Sequence, residues 1–175
     1  ERCILILQAG NVCTGAFDDF STICHLAHQA NAWVHIDGAF GLWARASEQF
    51  NDITYAAECA HSWSVDGHKT LNTPYDCGIV LCRDEEALVQ ALHQSGSYIQ
   101  FSEQRDSMVF TPDMSRRARG IDLWACLHSL GREGLSDLLE QLNGLAIYLA
   151  DKLAEHSFIV LNEVVFNQVI IKANE

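Results

Sequence analysis

Three polar side chains that could do chemistry follow apolar segments of the sequence. Asp37 follows the apolar segment WVHI and precedes the sequence Gly-Ala-Phe-Gly of residues 38–41. His68 and Lys69 follow the segment SWSVD of residues 62–66. A lysine amine can bond covalently to a carbonyl carbon, and a carboxylate can keep a neighbouring nitrogen base protonated. These side chains can act together where the fold brings the ends of the two segments side by side.

The apolar segments predict the strands of one sheet. Residues 3–9, 33–37, 62–66 and 79–82 are short apolar runs separated by helical or irregular stretches. This pattern is typical of a mostly parallel α/β sheet that is covered on both faces. The fourth strand is expected to run antiparallel, because its link to the third is short of helix. Ligands bind at the carboxyl ends of such strands, where Asp37 and Lys69 would lie.

Helical periodicity predicts the elements between and after the strands. Asp18 or Asp19 can cap a helix with apolar positions between residues 20 and 30. Further helices are predicted over residues 85–93, 121–130 and 135–155, the last with a core-facing stripe. The tail from residue 158 returns to strand. We therefore expect residues 1–133 to form part of a large domain, and residues 134–175 a linking helix and the beginning of a smaller domain.

An acid and a lysine at neighbouring strand ends suit pyridoxal phosphate as cofactor. The lysine reacts with its aldehyde, and the carboxylate keeps its pyridine nitrogen protonated so that the ring can accept electrons. The alternative is that Asp37 is a helix cap and Lys69 an exposed loop residue. Spacing alone does not decide between the two interpretations.

Two longer motifs resemble a known family. HIDGAFG at residues 35–41, followed by HSWSVDGHKTLNTPYDCG at residues 61–78, is similar to the pyridoxal-phosphate-dependent amino-acid decarboxylases of group II, the glutamate and aromatic-amino-acid decarboxylase group. The similarity runs from GNVCTGAFDD to SRRARGIDLWACLHSLGREGL and so covers most of the chain. It implies the aspartate-aminotransferase-like fold, called fold type I.

The resemblance also implies roles for individual residues. Lys69 would be the Schiff-base lysine, and Asp37 the partner of the pyridine nitrogen. Ala39 would press its methyl group on one face of the ring. Ser62 and His68 would lie near the cofactor phosphate.

Four further positions follow from the resemblance with less direct support from the residues themselves. Asn11 or Thr14, in the segment GNVCTG, would touch the cofactor or its stacking partner, unless the segment is simply a turn that closes a strand. Tyr98 falls where the family places a catalytic tyrosine and would be the proton donor, or it merely packs its loop. Asp66 stands where relatives often have Asn. Since a carboxylate would repel a phosphate unless protonated or turned away, Asp66 is left out of the phosphate set.

The implied reaction removes the α-carboxylate of an L-amino acid as carbon dioxide, in an enzyme that is a homodimer at full length. Two alternatives stay open: an aminotransferase or other α-carbon enzyme of the same fold, and a non-catalytic dimerising homologue. The intact set of Asp37, His68 and Lys69 argues against the last.

The composition of the chain argues against some classes of binding partner and indicates a cellular compartment. The net charge of −12, from 11 basic and 23 acidic residues, argues against nucleic acid or an anionic membrane surface as a partner. The seven cysteines show neither CxxC nor zinc spacing, as expected of reduced thiols in a cytoplasmic protein. His35 and Asp37, with His61 or His68, are candidates for a metal site, but no third ligand has a recognisable spacing, so we expect no metal. No apolar run is long enough for a membrane span. Because the sequence opens directly in ERCILILQAG, we expect it to be part of a longer polypeptide.

Overall fold

The computed structural model describes residues 2–92 and 106–173. Its centre is a four-stranded sheet in the order β1-β2-β3-β4. The strands are β1 (Ile4–Gln8), β2 (Trp33–Asp37), β3 (Ser62–Asp66) and β4 (Gly78–Cys82). The first three run parallel, and β4 is antiparallel to β3, as the sequence predicted. The predicted bounds of β2 and β3 are confirmed, whereas β1 is one residue shorter than predicted at each end and β4 begins one residue earlier.

Four helices and a small second sheet complete the described chain. The helices are α1 (Phe20–Gln29), α2 (Gly67–Thr70), α3 (Glu85–Leu92) and α4 (Arg119–Glu155). Short 3₁₀ segments lie at Leu42–Ala46, Glu48–Phe50, Ala57–Cys59 and Ser107–Phe110. The tail forms an antiparallel pair, β5 (Phe158–Val160) and β6 (Ile171–Ala173). The short helix α2, which carries His68 and Lys69, was not predicted.

Asp19 is the residue that caps α1. Its Oδ1 accepts a hydrogen bond from the Thr22 backbone N–H at 3.0 Å, and its bonds to Thr22 hold the pKa of the Asp19 carboxyl below its usual value. Asp18 instead accepts from the Gln8 backbone N–H at 2.7 Å. The two adjacent carboxylates therefore have different roles. Asp19 caps the first turn of α1, and Asp18 holds the segment before the helix against the end of β1.

Helix α4 has a break at Gly131, which adopts φ 64° and ψ −174°. The two helices predicted on either side of residue 131 are therefore present, but joined more closely than expected. The second half buries Leu135, Leu139, Ala146 and Ala150, at the spacing of one helical face. The division into domains at residue 133 stays a prediction.

The two faces of the sheet differ in what covers them. On one face, side chains of β1 and β2 pack with α1 in a buried cluster that includes Leu7, Val34, Ile36, Phe20 and Cys24. On the other face, Ile4 and Ile6 are 68% and 67% exposed. The prediction of a sheet covered on both faces is therefore wrong for the residues that the structure describes.

A second core cluster joins α4 and the tail to the loops that follow β2 and β3. Its buried members are Ala44, Phe50, Leu71, Leu135, Leu139 and Phe166. The polar side chain of Asn143 supports it, because Asn143 accepts from the Gln49 amide at 2.9 Å and donates to the Phe166 carbonyl. This cluster fixes α4 and the tail beside the carboxyl ends of the strands.

Candidate active site

The loop that follows β2 is bonded along the end of β3. Asp37 pairs with Ser64 in the parallel register, and the Gly38 N–H donates to the Ser64 carbonyl at 2.9 Å. The Asp66 N–H then donates to the Ala39 carbonyl at 3.3 Å. Helix α2 begins directly after Asp66. The structure thus brings Asp37, Ala39, His68 and Lys69 to one edge of the sheet.

Two glycines let the turn after β1 reach the same edge. A Cβ on Gly41 would lie 2.5 Å from the Ala9 carbonyl oxygen, and one on Gly10 would lie 2.9 Å from the Gly41 backbone. Gly10 also has φ +80°, which side chains of L-residues rarely allow. Because neither position has room for a side chain, the GNVCTG turn and the loop of residues 38–41 pack backbone against backbone.

Lys69 is partly buried and held on two sides. Its Nζ lies 3.0 Å from Asp66 Oδ2 and 4.2 Å from the centre of the Phe40 ring. One quarter of its side chain is exposed. An amine that lies over an aromatic ring and is paired with a carboxylate differs from the exposed loop lysine of the alternative interpretation.

His68 is fixed by its own loop. Its Nδ1 accepts a hydrogen bond from the Cys77 backbone N–H at 3.0 Å, and its ring lies against Tyr75 with 4.0 Å between the ring centres. Because Nδ1 is an acceptor, the proton of the neutral ring is on Nε2. That nitrogen lies 3.6 Å from Asp66 Oδ2.

Asp37 is oriented by the backbone that follows it. Its Oδ1 accepts from the Ala39 N–H at 3.2 Å. His35 projects from the same face of β2, two residues earlier. Burial lowers the pKa of the His35 imidazole, and the negative charge of Asp37 acts in the opposite direction.

Ser62 lies at the start of β3, away from the carboxyl edge. Its hydroxyl accepts from Trp33 Nε1 at 2.9 Å and lies 2.8 Å from His35 Nδ1. Ser64, which the sequence analysis did not single out, lies nearer to the edge because it is opposite Asp37. Ser62, Ser64 and Asp66 are alternate residues of β3 and therefore point to the same face of the sheet, and this spacing could have identified Ser64 from the sequence.

The side chains of Asn11 and Thr14 are used within their turn. Asn11 Oδ1 accepts from the backbone N–H groups of Cys13 and Thr14 at 3.0 and 3.1 Å. Thr14 Oγ1 accepts from the Ala16 N–H at 3.2 Å. Tyr98 lies outside the described residues.

A cavity of about 640 Å³ opens beside Lys69. Phe40, Tyr75, Leu138, Leu142, Asn167 and Gln168 are among its lining residues. The last two belong to the tail, at positions that no motif marked. They reach the cavity because the second core cluster docks the tail against α4.

Two arginines brace the loop that follows α2. Arg119 Nη2 lies 2.6 Å from Asp76 Oδ1, and Arg117 donates to the Asp76 carbonyl at 3.3 Å. The hydrogen bond from Arg119 holds the pKa of the Asp76 carboxyl below its usual value. The segment that carries Tyr75 is therefore tied to the start of α4.

The described residues contain neither a metal-binding cluster nor a membrane-spanning helix. Within residues 2–92 and 106–173, no three side chains of His, Cys, Asp or Glu lie close enough together to hold a metal ion. In the same ranges no helix is both long and apolar enough to cross a membrane.

Comparison with known proteins gives one consistent family. The family model described as the pyridoxal-dependent decarboxylase conserved domain matches residues 3–174. Tyrosine/DOPA decarboxylase 5 of Papaver somniferum is 31% identical over 140 residues, which cover 77% of this chain and 27% of that protein. L-2,4-Diaminobutyrate decarboxylase of Rhizobium meliloti is 30% identical over 145 residues, which cover 78% of this chain and 28% of that protein.

The fold agrees with this match. The crystal structure of Oryza sativa TDC with PLP and tryptamine superposes with a TM-score of 0.88 at 24% identity, over 98% of this chain and 36% of that one. The predicted fold type I, the aspartate-aminotransferase-like architecture, is confirmed. This chain spans between a quarter and two fifths of the length of the proteins that it matches. It belongs to the pyridoxal-dependent decarboxylase family.

Proposed function

We propose that the full-length protein is a pyridoxal-phosphate-dependent carboxy-lyase that converts an L-amino acid into its amine and carbon dioxide. One observation carries the proposal: the partly buried amine of Lys69 and the carboxylate of Asp37 occupy the carboxyl edge of adjacent parallel strands. Membership of the family supports the same reaction. The matched relatives are longer, so this activity is proposed for the whole protein rather than for the described residues alone.

The groups at this edge fit the cofactor. Lys69 offers a primary amine to its aldehyde, and Asp37 offers a carboxylate to its ring nitrogen. Ala39, which hydrogen-bonds Asp37 through its N–H, has a side chain small enough for a flat ring to approach. When bound, pyridoxal phosphate supplies an acceptor for the electron pair that is released at the substrate α-carbon.

The part of Asp37 would be to keep a proton on the ring nitrogen of the cofactor. The Ala39 N–H fixes Oδ1, and Oδ2 has no hydrogen-bond partner among the described residues. That oxygen is free to pair with a protonated ring nitrogen, and an ion pair of this kind keeps the nitrogen charged.

The other residues proposed to contact the cofactor differ in whether they must first break a hydrogen bond that they make in the structure. His68, with a proton on Nε2, can donate to an acceptor at the edge. Ser62 would have to give up its bond to Trp33 or His35 to reach the cofactor. Asn11 and Thr14 would have to leave bonds within their turn. We keep all four as proposed cofactor contacts, with His68 alone needing no rearrangement.

Tyr98 is proposed as the donor that returns a proton to the α-carbon after carbon dioxide leaves. A phenol can deliver this proton without competing for the carbonyl carbon that Lys69 attacks. The sequence position of Tyr98 relative to Lys69 supports the proposal.

We also propose a cytoplasmic homodimer with an amino acid as its substrate. All seven cysteines are free, as expected of a reducing compartment. The dimer rests on the resemblance of the motifs, and light scattering on the full-length protein tests it.

The experiment that tests the function has two separate measurements: which lysine binds the cofactor, and which products are formed. The full-length protein loaded with pyridoxal phosphate is reduced with borohydride, digested, and searched for a modified peptide that contains residue 69. Loaded protein is then supplied with L-tyrosine, L-DOPA, L-glutamate and L-2,4-diaminobutyrate, and carbon dioxide, amine and keto acid are measured.

We expect the cofactor on Lys69 and equal amounts of carbon dioxide and amine from one of the amino acids. Lys69→Ala should show no cofactor bound to the peptide and no carbon dioxide or amine. Lys152→Ala, which removes an exposed lysine of α4, should behave as the parent. Keto acid without carbon dioxide would make the protein an aminotransferase. A protein that stays colourless and unmodified would be the non-catalytic homologue.

A further inference from the structure

Asp66 is the carboxylate paired with Lys69 in the described residues, and the proposed function gives it no role. Its Oδ2 contacts the two residues that the motif places beside the cofactor, Lys69 Nζ at 3.0 Å and His68 Nε2 at 3.6 Å. About one fifth of its side chain is exposed. The carboxylate is thus shielded from solvent on most sides and faces the reacting amine.

The backbone of Asp66 is fixed by three neighbours. Its N–H donates to the Ala39 carbonyl, and its carbonyl accepts from Trp43 Nε1 at 2.9 Å. It pairs with Gly78 in the antiparallel register with β4. Since Lys69 follows three residues later on α2, the distance between carboxylate and amine is set by one turn of chain that is anchored at its start.

The amine must lose a proton before it can react with an aldehyde. His68 cannot take this proton without rearrangement, because its Nε2 carries one already and its Nδ1 is occupied by the Cys77 N–H. Asp66 Oδ2 is within the range in which a general base takes a proton directly. The described side chains therefore leave Asp66 as the acceptor in contact with Nζ.

We propose, on the basis of the proposed function, that Asp66 takes the proton of the Lys69 ammonium when this amine reacts with the cofactor, and remains protonated afterwards. One N–H bond of the ammonium breaks, its electron pair stays on Nζ, and its proton bonds to Asp66 Oδ2. The freed pair forms a bond to the aldehyde carbon. The other two nitrogen protons leave with the aldehyde oxygen as water, which closes the balance without a further reactant.

This transfer also removes a conflict of charges. An ionised carboxylate beside an anionic cofactor would be repelled by it. A carboxyl that has accepted the lysine proton is neutral, and His68 Nε2 remains 3.6 Å from its Oδ2. The pair of Asp66 and Lys69 keeps zero net charge throughout, so the edge gains no charge of its own when the amine is consumed.

The test measures where the lysine proton goes and does not depend on the rate of the catalysed reaction. Unloaded full-length protein, with its aspartates labelled with ¹³C, is mixed with pyridoxal phosphate, and the infrared difference spectrum is recorded in H₂O and in D₂O. A parallel sample in weak buffer reports the proton released to solution. Borohydride reduction of the same samples gives the fraction of Lys69 modified.

We expect a protonated-carboxyl C=O band that grows with the modified fraction and shifts with both D₂O and ¹³C. Asp66→Asn should lose this band and release a proton to solution for each modified lysine. The matched control is Glu155→Gln, which removes the carboxylate of an exposed i,i+3 pair with Lys152 and should leave band and proton count unchanged. Asp66→Glu should keep a band that no longer shifts with aspartate labelling, which tests the inference even if Asp66→Asn fails to fold.

Two results separate the inference from the function on which it rests. A modified Lys69 without the band, or a band that persists in Asp66→Asn, would overturn the role of Asp66 and leave the proposed function intact. Protein in which residue 69 is not modified at all would overturn both.

Discussion

The hydroxyl of Ser62 lies between two side chains of the neighbouring strand, 2.9 Å from Trp33 Nε1 and 2.8 Å from His35 Nδ1. The indole can only donate, so the hydroxyl accepts from it, and the same hydroxyl can donate to His35 Nδ1 or accept from it according to the tautomer of the ring. The other ring nitrogen, His35 Nε2, lies 3.3 Å from Ser64 Oγ, so the imidazole links the two serines of β3. A chain of hydrogen bonds thus crosses the face of β2 and β3 just before Asp37.

The first prediction concerns stability at acid pH. Because burial lowers the pKa of His35 in the folded protein, the unfolded chain binds a proton first as the pH falls below about 6.5. The stabilisation is present above that pH and is lost as the pH falls through the folded-state pKa. We expect the urea midpoint to drop between pH 7.5 and 5.5, and to drop less in His35→Gln. His156→Gln, at the exposed end of α4, should keep the parent's pH dependence; an unchanged dependence in His35→Gln would contradict the prediction.

The second prediction concerns Asp37. Asp37→Ala in the full-length protein should lower kcat for carbon dioxide release by orders of magnitude, because a neutral pyridine ring is a poor electron acceptor. Asp37→Glu should retain part of the activity. The control is Asp113→Ala, which removes an exposed partner of Arg116. A near-parental kcat in Asp37→Ala would assign the ring nitrogen to another residue.

The third prediction concerns Tyr98. Tyr98→Phe should bind cofactor and substrate as the parent does but produce less amine for each carbon dioxide released, with a carbonyl side product making up the difference. Loss of the phenol removes the proposed proton source and leaves the ring in place. Tyr148→Phe, an exposed position on α4, is the matched control. An amine yield equal to that of the parent, without side product, would place the donor elsewhere.

The fourth prediction concerns the core beneath the cavity. Leu139 is fully buried between α4 and the loops after the strands, so Leu139→Ala should lower the free energy of unfolding by about 2–5 kcal/mol. Leu145→Ala on the same helix should change it by less than about 0.5 kcal/mol, because that side chain is 56% exposed. Urea unfolding followed by tryptophan fluorescence measures both. Equal losses in the two variants would mean that α4 is not docked as described.

The parts of the fold that local sequence determines were predicted. The bounds of β2 and β3 follow from short apolar runs that turn residues enclose, and the antiparallel return of β4 follows from a link too short for a crossover helix. Helix α2 was missed because four residues are too few to show a period. The 3₁₀ segments after β2 were missed for the same reason.

The parts of the site that depend on distant contacts were not predicted. Asn167 and Gln168 line the cavity beside Lys69 because Asn143 and Phe166 dock the tail, about a hundred residues along the chain from the lysine. The ion pair of Asp66 and Lys69 is local, and it was missed because it requires α2. Comparison with the family pattern showed that Asp66 stands where relatives often have Asn, but it did not indicate that Asp66 pairs with Lys69.

The turn after β1 is completed by residues that are synthesised well after it. Asn162 Nδ2 donates to the Thr14 carbonyl at 2.9 Å across 148 residues of chain, and the Gln168 side chain packs over Gly15. On the ribosome the turn therefore emerges long before its partners, although chains generally begin to fold from the amino-terminal side. A nascent chain released before residue 162 would present this turn and the cavity wall open to solvent. The turn and the cavity wall beside Lys69 are therefore completed only after residues 162–168 have left the exit tunnel.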